Sequence, residues 1–229
     1  MTDWKPRKRP RQARSRASFD AILAGCARVL ERGGYESLTT NRVAEAAGVG
    51  IGTLYDFFPN REAIVVSLGE ERLARLAAEV KDGLAGAAGI DAYQALDLLI
   101  RRIVRAVAAD RALYRVLFRE ARFLRESPET RRTLETFFEL GRAATQRARN
   151  RIALPDPSAD GWLIGRMLAH AVLEIVWTRG EPSRERLTEA LVRLTFRMLL
   201  GRDPVGGGIN PAGASSRAPS RAVRRPSSP

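Results

Sequence analysis

Between Leu38 and Val65 the chain reads LTTNRVAEAAGVGIGTLYDFFPNREAIV, and Gly48-Val49-Gly50 divides this stretch into two short helical pieces. Thr39 or Thr40 can cap the first piece, which runs to about Ala47. The second runs from Ile51 to Phe58 and stops at Pro59. A helix of this length is marginal in water by itself, since isolated helices need roughly 12 residues or more. It must therefore be held by neighbours. Val43, Ala44 and Ala47 give the first piece a small apolar face that allows close packing, Val49 and Leu54 fill the space under the turn, and Leu23 and Leu30 of a preceding helix complete the core. Two helices joined by a glycine-containing turn of three or four residues form a helix-turn-helix, whose second helix can enter the major groove of DNA.

The rest of the chain repeats the helical pattern. Phe19, Ile22, Leu23, Cys26, Val29 and Leu30 fall on one face of a first helix, about Arg14 to Arg32, which Gly33-Gly34 can end. Asn60 can cap a fourth helix that carries Ile64, Val65, Leu68, Leu73 and Leu76 toward Val80, before Gly83, Gly86 and Gly89 break the pattern. Further helices are expected at about Asp91–Ala109, Arg111–Arg125, Pro128–Arg151, Ser158–Arg179 and Arg184–Leu200. Ser127-Pro128 and Ser183 read as starts, Gly180 and Gly201 as stops. No run alternates strictly with β-branched enrichment, so the fold class is all-α, with about nine helices.

Charge is distributed unevenly. The net charge is +13, yet residues 1–16 carry seven Lys/Arg against one Asp, and residues 202–229 carry five Arg against one Asp. Residues 17–61 hold four Arg against five Asp/Glu, so the helix-turn-helix stretch is itself slightly acidic. Affinity for DNA depends on cations at phosphates, and the arm KPRKRPRQARSR is expected to supply a large share, following an adjacent minor groove as homeodomain arms do. The Gly/Pro/Ser/Arg-rich end lacks apolar periodicity and is expected to be disordered from about Arg202.

One cysteine and one histidine exclude a disulfide framework and zinc-ligand spacing, and no phosphate-binding glycine loop or nucleophile elbow occurs. We expect no enzyme activity, no metal, no cofactor and no membrane span, and a cytoplasmic protein.

The stretch GGYESLTTNRVAEAAGVGIGTLYDFFPNREAI resembles the TetR-type transcriptional regulators, over roughly Arg14 to Leu68. The resemblance implies an N-terminal three-helix helix-turn-helix domain and a larger C-terminal helical ligand-binding and dimerisation domain. The expected division is a flexible basic arm (1–13), the DNA-binding domain (14–62), the effector and dimerisation domain (63–201) and a tail (202–229). Carried over by position, Thr40 would cap the second helix and touch a phosphate. Asn41, Arg42, Ile51, Gly52 and Thr53 would lie at base edges or phosphates, Tyr55 and Phe57 would form an aromatic pair ending the recognition helix, and Arg61 would clamp a phosphate. Gly50 stands where such proteins often have a capping Ser, and Phe57 cannot donate a hydrogen bond, which points it toward packing.

For the larger domain the resemblance implies a small-molecule effector and a homodimer on a double-stranded palindromic operator, with repression the expected sense of control. Tyr114, Phe118 and Phe137 belong to an aromatic set able to line a cavity or to pack as plain core. Trp162, Arg166, His170 and Glu174 share one face, which suits either a pocket or an interface; the first three join the aromatics as effector candidates. Met167, Ala171, Leu187, Leu191, Leu194 and Met198 are the interface candidates, because the last two helices are apolar on more than one face. Cys26 is expected to be a buried apolar thiol. The rival to a regulator is a basic architectural DNA-binding protein without effector or strong sequence preference.

Overall fold

A computed structural model describes residues 4–86, 89–147 and 152–201, and these are helical throughout their regular structure. The helices are α1 (Ala13–Gly33), α2 (Thr40–Ala47), α3 (Ile51–Phe57), α4 (Arg61–Gly86), α5 (Ala92–Ala109), α6 (Arg111–Arg115), α7 (Pro128–Arg147), α8 (Pro157–Trp177) and α9 (Arg184–Leu200). The starts follow capping chemistry. Thr39, not the Thr40 that the resemblance implied, caps α2 by accepting from Arg42 N–H at 3.2 Å; Asn60 Oδ1 accepts from Ala63 N–H at 2.8 Å, and Asp91, Ser127 and Ser183 cap α5, α7 and α9. The start of α8 is Asp156, with Pro157 in the first turn, rather than Ser158; an aspartate whose carboxylate accepts from Ser158 and Ala159 outcompetes the serine.

Two expectations change here. The helix expected over Arg111–Arg125 is broken: α6 gives way to a π-helical turn at Val116–Glu120 and a 3-10 turn at Arg122–Arg125. Apolar spacing survives such a change of pitch, so periodicity alone does not reveal it. By contrast, α4 runs through Gly83 and ends at Gly86, because packing against α5 overrides the weak helix propensity of glycine. The end of the expected Pro128–Arg151 helix, beyond Arg147, and the tail 202–229 lie outside the described residues.

Two hydrophobic cores result. The first joins α1–α4 to Leu113, Val116, Leu117, Ala121 and Leu124, so the helix-turn-helix and the α6 region share one interior, and no break divides α4 at residue 62. The second lies among α5, α8 and α9, with Leu76 of α4 and Tyr114 of α6. No helix among the described residues is long and apolar enough to cross a membrane.

Residues 4–12, expected to be flexible, lie against the fold. The Trp4 ring sits 6.5 Å from that of Phe123, Arg7 N–H donates to the Phe57 carbonyl at 2.7 Å, Lys8 Nζ lies 3.8 Å from Asp56, and Arg9 pairs with Glu70 at 2.8 Å. These contacts are with carboxylates, rings and one backbone carbonyl of the same chain.

Candidate nucleic-acid interface

The α2–α3 turn is made by Gly48, which takes φ 67° and ψ 31°, a left-handed conformation that ends α2 and donates its N–H to Ala44 and Glu45. Val49 N–H then donates to Ala44 at 3.0 Å, which redirects the chain into α3. Close docking of α2 on α1 depends on Gly25: a Cβ there would stand 2.8 Å from the Val43 oxygen and 2.9 Å from the Ala47 nitrogen. Leu54 and Phe58 are completely buried beneath the turn, and Val43 and Leu30 meet them. The seven residues of α3 are therefore held by tertiary contact, as their length requires.

What remains outward is the face carrying Ile51, Gly52, Tyr55 and Asp56, with Thr53 half-buried beside them. Gly50 starts α3 without any side-chain cap, as its lack of a hydroxyl demands. Thr40, half-buried at the start of α2, lies with its hydroxyl 3.1 Å from that of Tyr55, so two hydroxyls from two helices converge at one edge of this face. Asn41 and Arg42 are exposed on the same first turn of α2. A Cβ on Gly52 would meet nothing within 4 Å, so the fold does not require glycine there.

Two expected contacts are corrected. Phe57 is 3 % exposed and packs edge-on against Phe19 at 5.7 Å, so it belongs to the core; a ring without a polar tip gains most by burial. Arg61 is engaged internally: Nη1 donates to the Leu38 carbonyl at 2.9 Å, Nε to Glu62 at 3.0 Å, and the guanidinium lies 4.8 Å from the Tyr35 ring centre. Arg28 and Arg42 likewise reach carbonyls, of Ala46 and Ser37. These three arginines hold the backbone at either end of α2.

Tyr35, not singled out in the sequence, links the module to the rest of the chain. Its ring lies 5.4 Å from Phe123, its N–H donates to Glu120 at 3.0 Å, and its hydroxyl donates to Glu62 at 3.0 Å. Burial first, and then the Glu62 carboxylate, push the phenol up to about 12. The signal in GGYES was slight, because the partners of Tyr35 lie up to 88 residues away.

Beside this junction, a cavity of about 30 Å³ opens between α4, the α6 region and α7, lined by Leu73, Tyr114, Leu117, Phe118, Leu124 and Leu134 with Gly69, Arg72 and Thr130. Arg72 Nε and Thr130 Oγ1 are buried with no hydrogen-bond partner. Tyr114 and Phe118 stack at 6.2 Å on this wall, whereas the side chain of Phe137 lies outside the described ones. Trp162, Arg166 and His170 do not line it. They are exposed on α8, where the Arg166 guanidinium covers the rings of Trp162 and Phe138. Four-residue spacing put them on one face, but that face points outward.

The interface candidates also divide. Leu187 and Leu191 pack against the second core, correcting their assignment, while Met167, Leu194 and Met198 are 49 %, 52 % and 37 % exposed, and Ala171 is half-buried. Leu163, at 53 %, joins the exposed set.

A braced pair of short helices, with the second left open outward on a larger helical body, defines a helix-turn-helix DNA-binding regulator. Residues 22–68 match the family model of bacterial regulatory proteins, tetR family. Over 197 residues the chain is 26 % identical to the HTH-type transcriptional repressor KstR of Mycolicibacterium smegmatis, covering 83 % of this chain and 88 % of that protein. Over 98 residues it is 28 % identical to the fatty acid metabolism regulator protein of Bacillus subtilis, covering 43 % of this chain and 50 % of that protein. The structure of the transcriptional regulator FadR from Bacillus subtilis in complex with stearoyl-CoA aligns with a TM-score of 0.65 at 20 % identity, over 79 % of this chain and 98 % of that one. Residues 22–68 thus carry the DNA-binding module of the tetR family of bacterial regulatory proteins.

Proposed function

We propose that the protein is a ligand-responsive repressor that binds a palindromic operator as a homodimer. The observation that carries this reading is the uncovered outer face of α3 beside the Thr40–Tyr55 hydroxyl pair. The two hydroxyls take a phosphate. Asn41, Arg42 and Thr53 reach base edges or phosphates, and Ile51 and Gly52 supply a thymine-methyl contact and a close backbone approach. Leu163, Met167, Leu194 and Met198 form the two-fold interface, which sets the half-sites about 34–36 Å apart, or a multiple of that.

The effector site is the cavity beside Tyr114 and Phe118. Because its walls are largely leucine and aromatic, and because the Bacillus subtilis FadR structure contains stearoyl-CoA, the effector is a long apolar molecule. A volume of about 30 Å³ holds no such ligand, so binding must open the cavity. Opening shifts the segment from Val116 to Leu124, which also carries Glu120 and Phe123, and these hold Tyr35 of the DNA-binding module. The effector thus acts on the placement of α3 through Tyr35.

Competition between a selected duplex and bulk DNA tests the reading. A regulator retains one palindromic site by a factor of about 10³ or more, and loses it when a long-chain acyl thioester is added. An architectural protein would show neither property.

A further inference from the structure

The recognition helix carries a single charged residue, and it is an acid: Asp56, exposed at the C-terminal turn. An anion there repels DNA phosphates and opposes the helix macrodipole, which favours cations at a C-terminus. The N-terminal segment corrects both defects. Lys8 Nζ stands 3.8 Å from Asp56 Oδ2 and 5.0 Å from the centre of the Phe57 ring, and Arg7 N–H donates to the carbonyl of Phe57, the last residue of α3. That carbonyl is one of those a helix end leaves without an intrahelical partner.

The segment is held at two further places. Arg9 pairs with Glu70 on α4 at 2.8 Å, and the Trp4 ring packs on Phe123 of the 3-10 turn. Pro6 and Pro10 are half-buried, while Lys5 before them and Arg7, Lys8 and Arg9 between them are exposed. Proline fixes φ and disfavours helix in the residue before it, so the chain is preset to an extended run with little conformational entropy left to lose. One extended segment therefore touches the end of α3, the flank of α4 and the turn that borders the effector cavity.

We propose that residues 4–9 form a strap that positions the recognition helix and neutralises its one acidic residue. Lys8 and Arg7 are positioning residues for DNA reading, with Trp4 as their anchor. The basic N-terminus then assists binding by acting on α3, not by lying in a minor groove. The proposal rests on the reading of α3 as the DNA-contacting helix.

A double-mutant cycle on the full-length chain tests it, using a duplex selected from a random pool by the wild-type protein. Lys8→Met should raise Kd about threefold to tenfold by exposing an uncompensated anion. In an Asp56→Asn background, the same substitution should change Kd by less than about twofold. Equal losses in both backgrounds would mean that Lys8 meets DNA independently of Asp56, and would overturn the proposal. Trp4→Ala should weaken binding and add little to Lys8→Met, and trypsin should cut after Arg7 and Lys8 faster in Trp4→Ala than in wild type. Identical cleavage rates would show a strap that is not docked, which also overturns it. If no duplex is enriched at all, the DNA-reading assignment of α3 fails first and the strap falls with it.

Discussion

In the core of α1–α4 and the α6 region, Ile22, Cys26, Leu30, Leu38, Val43, Leu54, Phe58, Ile64 and Leu68 keep no exposed surface, whereas among the described residues of α5, α8 and α9 only Val176, Val192 and Thr195 reach that state. The second core is also bordered by Leu163, Met167 and Leu194, each about half exposed. One interior is completed by a single chain, and the other is left open on one side. A reading head must keep a fixed shape, so its packing closes within itself. Under the dimer reading proposed above, a second copy covers the open side of α8 and α9, so the apolar surface there is unfinished in one chain.

The sharpest way to break this contrast is at Leu54. Leu54→Ala removes a side chain with no exposed surface from beneath a helix too short to persist alone, at a cost of about 2–5 kcal/mol. Operator binding should disappear and the urea midpoint should fall. A small loss of both would mean that the first core is as tolerant as the second. The opposite intervention is Leu163→Glu with Leu194→Glu. Sedimentation should then show monomers of unchanged helicity, with operator affinity reduced about a hundredfold as the linked second half-site is lost. A charged double variant that stayed dimeric would place the partner elsewhere.

An intermediate effect is expected at the α1–α2 crossing. Gly25→Ala puts a methyl within 3.0 Å of α2 atoms, two of them backbone, and should destabilise by roughly 1–3 kcal/mol, measurable by thermal melting. Full stability in this variant would show that α1 and α2 can separate freely, contrary to the fixed shape assigned to them.

The fold was largely legible because most of its signals are local. The Thr39, Asn60, Asp91, Ser127 and Ser183 caps, the glycine turn and the three- and four-residue steps all act within a few residues. The site was legible on its exposed side, where Tyr55, Thr40 and Ile51 stand, and less so where long-range partners decide. Arg61 looked like a free cation, yet its acceptor is the Leu38 carbonyl, 23 residues away. Trp162, Arg166 and His170 had a common face, but helical spacing does not say which face is inward. The docking of Trp4 on Phe123 joins positions 119 apart in sequence, and composition marked that segment only as basic and proline-containing.

A smaller effect should appear at the surface of the reading head. Tyr55→Phe removes one hydroxyl of the Thr40 pair and should weaken binding to all sequences about equally, by roughly threefold to tenfold for one hydrogen bond. Asn41→Ala should instead change preference at one base position, as read by selection from randomised duplexes. Interchanged outcomes would reverse the division between positioning and reading.

The smallest effect tests whether the junction between the two modules is electrostatic. Burial works against the charged form of Glu62, but hydrogen bonds from Arg61, its own N–H and the Tyr35 hydroxyl, with the Arg61 charge, outweigh it and hold the carboxyl below its ordinary value of 4.5. A depressed carboxyl contributes stability that is present above its unfolded-state pKa and lost as pH falls through the folded-state one. Glu62→Gln should therefore be less stable than wild type at pH 7, by on the order of 0.5–1 kcal/mol for a partly exposed pair, and the gap should close on acidification below the usual carboxylate range. A gap that persists unchanged at low pH would mean that Glu62 serves Tyr35 through packing and a neutral hydrogen bond. The charge would then have no part in joining Tyr35 to the start of α4.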